Sequence, residues 1–130
     1  MEKAREKPVL VIVARKGAKE LVRNLREYKL RGHATCEEYP SFEELHNRVV
    51  YRASLRRPDL FLTYQTVNSP DDGIEAAIMY SGQFPIVLGV EDRDYVESRL
   101  PRFPKSNIIH WRDDFAIEAR VRNILGLKAA

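Results

Sequence analysis

The sequence predicts a three-layer α/β domain, a doubly wound parallel sheet of five strands in the order 2-1-3-4-5 with helices on both faces. Three observations predict it. Five short strand-like segments, four of them apolar, alternate with five segments of helical spacing along 130 residues. The first run, Val9 to Ala14, is unbroken and rich in β-branched residues, which suits a strand buried on both faces. No repeat, linker or low-complexity tract interrupts the rhythm. Strand-helix alternation gives a parallel sheet, and right-handed crossovers leave few topologies, of which 2-1-3-4-5 is a common one.

Each element has its own signal. Pro8 to Ala14 is the first strand. Gly17 opens a helix that places Ala18, Leu21, Val22, Leu25 and Tyr28 on one apolar face, and Gly32 closes it. His33 to Tyr39 is a polar second strand. Ser41 and Glu44 form a capping-box pair, followed by a helix whose buried side carries Phe42, Leu45, Val49 and Ala53. Pro58 stops it, and Asp59 to Tyr64 is the third strand. Pro70 starts a helix through Met79 or Tyr80, ended by Gly82. Phe84 to Val90 is the fourth strand, and Asp92 caps a short helix to Leu100, stopped by Pro101. Asn107 to Trp111 is the fifth strand. Asp113 or Asp114 caps the last helix, which offers Phe115, Ile117, Val121, Ile124 and Leu125 to the core before Gly126. Residues 1–7 read as a charged arm and 8–127 as one domain.

Composition bounds the function. The longest apolar runs are about six residues, far below the roughly 20 a membrane helix needs. The charged start has no apolar stretch of the kind a signal peptide carries. One cysteine, Cys36, excludes an internal disulfide and a cysteine-based zinc site, so the cytoplasm is the default location. The net charge is +3, with arginine supplying 15 of 22 basic residues. This mild excess is not by itself a nucleic-acid signature.

One stretch carries a resemblance. Arg57-Pro58-Asp59-Leu60-Phe61-Leu62 and Pro70-Asp71-Asp72-Gly73-Ile74-Glu75-Ala76 resemble the "RPDLVLLD" and "DGLEA" phrasing of response-regulator receiver domains. Ser41 to Leu45 is similar to the start of the receiver's second helix, Pro85 to Leu88 to its fourth strand, and Asp113 to Leu125 to its last helix. The resemblance spans Val9 to Leu125 and implies a flavodoxin-like, receiver-like fold. It also implies a changed pocket. The acidic pair after the first strand is replaced by Ala14, Arg15 and Lys16, and the phospho-acceptor aspartate by Tyr64. Gly89 stands where the Ser/Thr after the fourth strand would be, and His110 where the fifth-strand lysine would be. Magnesium needs clustered oxygen ligands, which Arg15 and Lys16 would oppose. The chain thus resembles an atypical receiver, expected to be no enzyme and to hold no Mg²⁺, metal or cofactor.

Function is then expected from contacts. Arg15, Lys16, His110 and Arg112 would meet at the carboxyl edge, either as an anion site or as solvated loop residues paired with Glu91 and Asp113. Arg48, Arg52 and Arg56 recur at i, i+4, i+8 and read as a docking stripe or as a solvated face paired with Glu43 and Glu44. No aromatics interleave with them, which argues against a nucleic-acid partner. Tyr95, Phe103 and Trp111 are apolar candidates for a partner surface, with core packing the alternative. In receivers the face of the fourth helix, fifth strand and fifth helix serves partners and dimers. The expected function is phosphorylation-independent regulation through a protein partner, a second copy included. The alternative is a nucleotide- or anion-binding domain using a basic carboxyl-edge pocket.

Overall fold

The computed structural model describes residues 7–52 and 56–127. The strands are β1 (Val9–Val13), β2 (Thr35–Tyr39), β3 (Leu60–Tyr64), β4 (Ile86–Val90) and β5 (Ile108–His110). The helices are α1 (Lys19–Asn24), α2 (Phe42–Tyr51), α3 (Asp72–Tyr80), α4 (Arg93–Arg99) and α5 (Asp114–Ile124). All strand pairs are parallel, in the order β2-β1-β3-β4-β5. This is the doubly wound sheet that the strand-helix alternation predicts.

Strand alternation divides the core in two. Val9, Val11, Val13, Phe61, Ile86, Leu88 and Val90 face a layer built from α2, α3 and α4. Leu10, Ile12, Leu60, Leu62, Tyr64 and Val87 face α1 and α5. β1, β3 and β4 are buried along their whole length, which explains their near-continuous hydrophobicity. Burying one such aliphatic side chain stabilises the fold by about 1.5–3 kcal/mol.

Three expectations change. The first helix loosens into a π-type turn over Leu25–Lys29, where the Leu30 N–H donates to the Leu25 carbonyl at 2.9 Å. The wider turn rotates Tyr28 off the apolar face to 69% exposure and buries Leu30 instead. Phe115, expected in the core, is 84% exposed. Ile117 and Val121 define the inner side of α5, and Phe115, two residues earlier, lies about 200° around the helix from Ile117. Arg48, expected in an exposed stripe, is only 3% exposed. It follows the buried Leu45 by three residues and therefore shares its face. Its guanidinium donates to both carboxylate oxygens of Glu37 on β2 and to the Arg56 carbonyl. Ala53 lies outside the described residues.

Candidate functional site: the carboxyl edge of the sheet

The ends of β1, β3 and β4 converge at the pole where a doubly wound sheet places its ligands. Tyr64 closes β3 and pairs in register with Gly89 of β4. Its ring is fully buried on the α1/α5 side. A Cβ on Gly89 would fall 2.6 Å from Cδ1 and from Cε1 of Tyr64. Glycine is therefore what lets the aromatic ring occupy this space. Burial pushes the Tyr64 phenol well above its ordinary value, and the nearby Asp114 carboxylate adds to the rise while Arg15 opposes it. No group among the described residues hydrogen-bonds the buried Tyr64 hydroxyl.

Two loops are fastened around this plug. Gln65 is buried directly after β3. Its Oε1 accepts from the Glu91 and Asp92 amides at 2.9 and 3.2 Å, and its Nε2 donates to Asp71 at 3.1 Å. Asp71 sits in the left-handed region at φ 59° and delays the start of α3 to Asp72. It also accepts from the Tyr95 hydroxyl at 2.9 Å. The bonds from Gln65 first, then Tyr95, hold its carboxyl below the usual carboxylate range. Asp72 accepts from three consecutive amides, those of Val67, Asn68 and Ser69, at 2.8–3.0 Å. Gly73 lies so close to β3 that a Cβ would meet the Tyr64 carbonyl oxygen at 1.6 Å.

The cations at this edge do not share one anion pocket. Arg15 pairs with Glu91, and its guanidinium also lies 4.3 Å from the centre of the Trp111 ring. Arg112 lies 4.6 Å from the same ring. His110 is exposed and stacks on Trp111 at 6.3 Å, and its Nδ1 accepts from the Arg112 amide at 3.3 Å. Arg15 and Arg112 thus cover an aromatic ring, a geometry that cation–π attraction favours. Lys16 points elsewhere, into a cleft of about 670 Å³ whose lining includes Ala14, Arg15, Lys19 and Arg26 but neither His110 nor Arg112. Among the described residues no group of three His, Cys, Asp or Glu side chains is placed to hold a metal ion.

Comparison by sequence finds no matching family model and no significantly similar curated protein. Comparison by structure does find neighbours. A response regulator receiver protein from Burkholderia phymatum superposes with a TM-score of 0.67 at 20% identity, over 95% of this chain and 98% of the other. The phosphorylated cyanobacterial phytochrome response regulator RcpA superposes with a TM-score of 0.62 at 14% identity, over 92% and 91% of the two chains. The chain has the receiver fold.

In this receiver-fold chain, the proposed surface residues fall in different places. Phe103 is 8% exposed and belongs to the core. Tyr95 is tied to Asp71 and accepts from Arg99 at 3.0 Å. Trp111 is half-buried beneath Arg15 and Arg112. Arg52 and Arg56 are exposed, but Arg56 pairs with Asp59 at 3.4 Å and donates to the Lys7 carbonyl. With Arg48 buried against Glu37, the arginine stripe is no continuous surface. A groove of about 670 Å³ does run along α4, β5 and α5. Ile109, Ala116 and Ala119 supply apolar lining, Arg93, Lys105 and Arg120 supply charge, and Phe115 stands at its side. Sequence reasoning placed Phe115 in the core and gave Gln65 no role. The available signal for Gln65 was a polar residue directly following a fully apolar strand.

Proposed function

We propose that this chain is a regulatory module of the receiver type that works through protein contacts and without aspartyl phosphorylation. The observation that carries the reading is Tyr64, an aromatic ring at the acceptor position, seated on Gly89. The resemblance puts a phosphorylatable carboxylate at this place, and a phenol buried with its pKa raised is a poor nucleophile toward a phosphoryl donor. Neighbouring cations add to the argument, because Arg15 occupies the first-strand position from which an acid would help hold Mg²⁺. The loops that follow β3 and β4 are linked through Gln65.

On this reading the module acts by binding. The surface we assign to a partner is the α4–β5–α5 groove, which joins apolar residues to three cations, the Asp113 carboxylate and a large exposed aromatic. A second copy of the chain or an acidic protein surface would fit it. Incubation with acetyl phosphate and Mg²⁺ followed by intact-mass measurement tests the first half of the proposal. The mass is expected to stay unchanged, and a phosphoryl adduct on an aspartate at this edge would overturn it.

A further inference from the structure

We infer that the cleft beside β1 and β2 is a binding site for a phosphorylated small molecule of nucleotide size. Its place is the first argument. The cleft opens at the carboxyl ends of β1 and β2, with the loop after β3 as its far wall, and crevices outside the carboxyl ends of the strands are where doubly wound sheets bind ligands. Its volume of about 670 Å³ lies in the range of small-molecule sites. Of the four cations expected at the carboxyl edge, Arg15 and Lys16 line this cleft, and His110 and Arg112 do not.

Charge is the second argument. Arg15, Lys16, Lys19 and Arg26 line the cleft against one carboxylate, Glu38. Two of these cations are already engaged. Arg15 pairs with Glu91, and Arg26 donates to Glu38 at 2.6 Å. Lys16 and Lys19, both exposed, have no carboxylate partner among the described residues. Two unpaired ammonium groups on one side of a crevice suit a dianionic phosphoryl group. Ala14, Tyr39, Pro40 and Val67 supply apolar wall for a planar ring.

The cleft is also preformed. Its far wall is the loop at Val67 and Asn68, which Asp72 fixes by accepting both amides. The Asn68 side chain donates to the Pro40 carbonyl at 3.1 Å and so joins that loop to the end of β2. A rigid wall lowers the ordering cost of binding.

The test is a titration of the whole chain with ADP, inorganic pyrophosphate and adenosine, followed by amide chemical shifts. ADP is expected to give saturable shifts at Lys16, Lys19, Cys36 and Asn68, with a Kd on the order of 1 mM or tighter. Pyrophosphate should bind more weakly at the same lysines, and adenosine more weakly still. K16E/K19E changes two exposed residues, and its spectrum should show an intact fold with ADP affinity reduced about 10-fold or more. No saturable shift, or equal ADP binding by K16E/K19E, would overturn the assignment. So would duplex DNA that binds through these lysines when ADP does not. The α4–β5–α5 groove shares no residue with this cleft, so failure here leaves the protein-contact reading standing, and the reverse.

Discussion

The ring of Tyr64 lies against Gly89, its register partner across β3 and β4, so closely that a Cβ at position 89 would sit 2.6 Å from two of its ring carbons. The pocket end of the sheet is thus a packed aromatic plug with a glycine seat. Enlarging the seat has a definite consequence. Gly89→Ala, and equally Gly89→Ser, should destabilise the fold by about 1–3 kcal/mol through overpacking. Denaturant unfolding checks this, and an unchanged midpoint would show that the ring has room to move.

Gly73→Ala should be worse. The obstructing atoms there are backbone, the carbonyl oxygen and carbon of Tyr64 at 1.6 and 2.6 Å, and backbone within a central strand cannot rotate aside. A loss of more than about 3 kcal/mol is expected, seen as a large fall in Tm or as failure to fold, whereas Gly82→Ala, where a Cβ meets nothing within 4 Å, serves as the tolerant control.

Tyr64→Phe reports on the hydroxyl. Its oxygen is buried without a hydrogen-bond partner among the described residues, so its removal should be neutral or stabilising by up to about 1 kcal/mol. The pH dependence follows from the direction of the shift. The folded phenol has its pKa raised by burial, so its contribution is fully present below the unfolded value of about 10 and is lost as pH rises beyond it. Wild-type stability should fall above about pH 10, and Tyr64→Phe should fall less. Some decline remains in the variant, because burial raises Tyr39 and Tyr80 as well.

Arg48 and Glu37 give the acid limb. The hydrogen bond from Arg48 is the leading cause that holds the Glu37 carboxyl below its ordinary value. A depressed carboxylate stabilises above the unfolded value of about 4.3, and that contribution is lost as pH falls through the folded value. Glu37→Gln should flatten this limb and cost about 2–4 kcal/mol at neutral pH, since Arg48 would be left buried without its counter-charge. Arg48→Met keeps the volume and removes the charge, so it should cost clearly less. Equal losses in the two variants would show that packing, not charge, governs the pair.

How far the sequence reaches is visible in these same residues. Strand order followed from the alternation of strand and helix segments, and β1, β3 and β4 stood out as apolar runs because burial on both faces leaves no polar period. Helix starts followed from caps, and Ser41, Asp92 and Asp113 each accept the expected amide, from Glu44, Tyr95 and Ala116 at 3.1–3.3 Å. The misreadings share a cause. Tyr28 left the core because a π-type turn, invisible in residue spacing, rotated the helix. Arg48 left the surface because a partner 11 residues earlier, Glu37, made its burial tolerable. The anion cluster split because Trp111 drew Arg15 and Arg112 to one side of the edge. Each depends on a tertiary neighbour that local pattern does not encode.

Phe115 separates stability from function most cleanly. It is 84% exposed, whereas Ile117 on the same helix is fully buried. Phe115→Asp should therefore change stability by no more than about 0.5 kcal/mol, while Ile117→Ala should cost about 2–5 kcal/mol. If the α4–β5–α5 groove is the working surface, Phe115→Asp should abolish concentration-dependent self-association in sedimentation, or capture of the protein partner, without a change in Tm. Large aromatic residues are prominent among those whose loss removes most of an interface's affinity. Retained association in this variant, with the fold intact, would move the contact surface away from the groove.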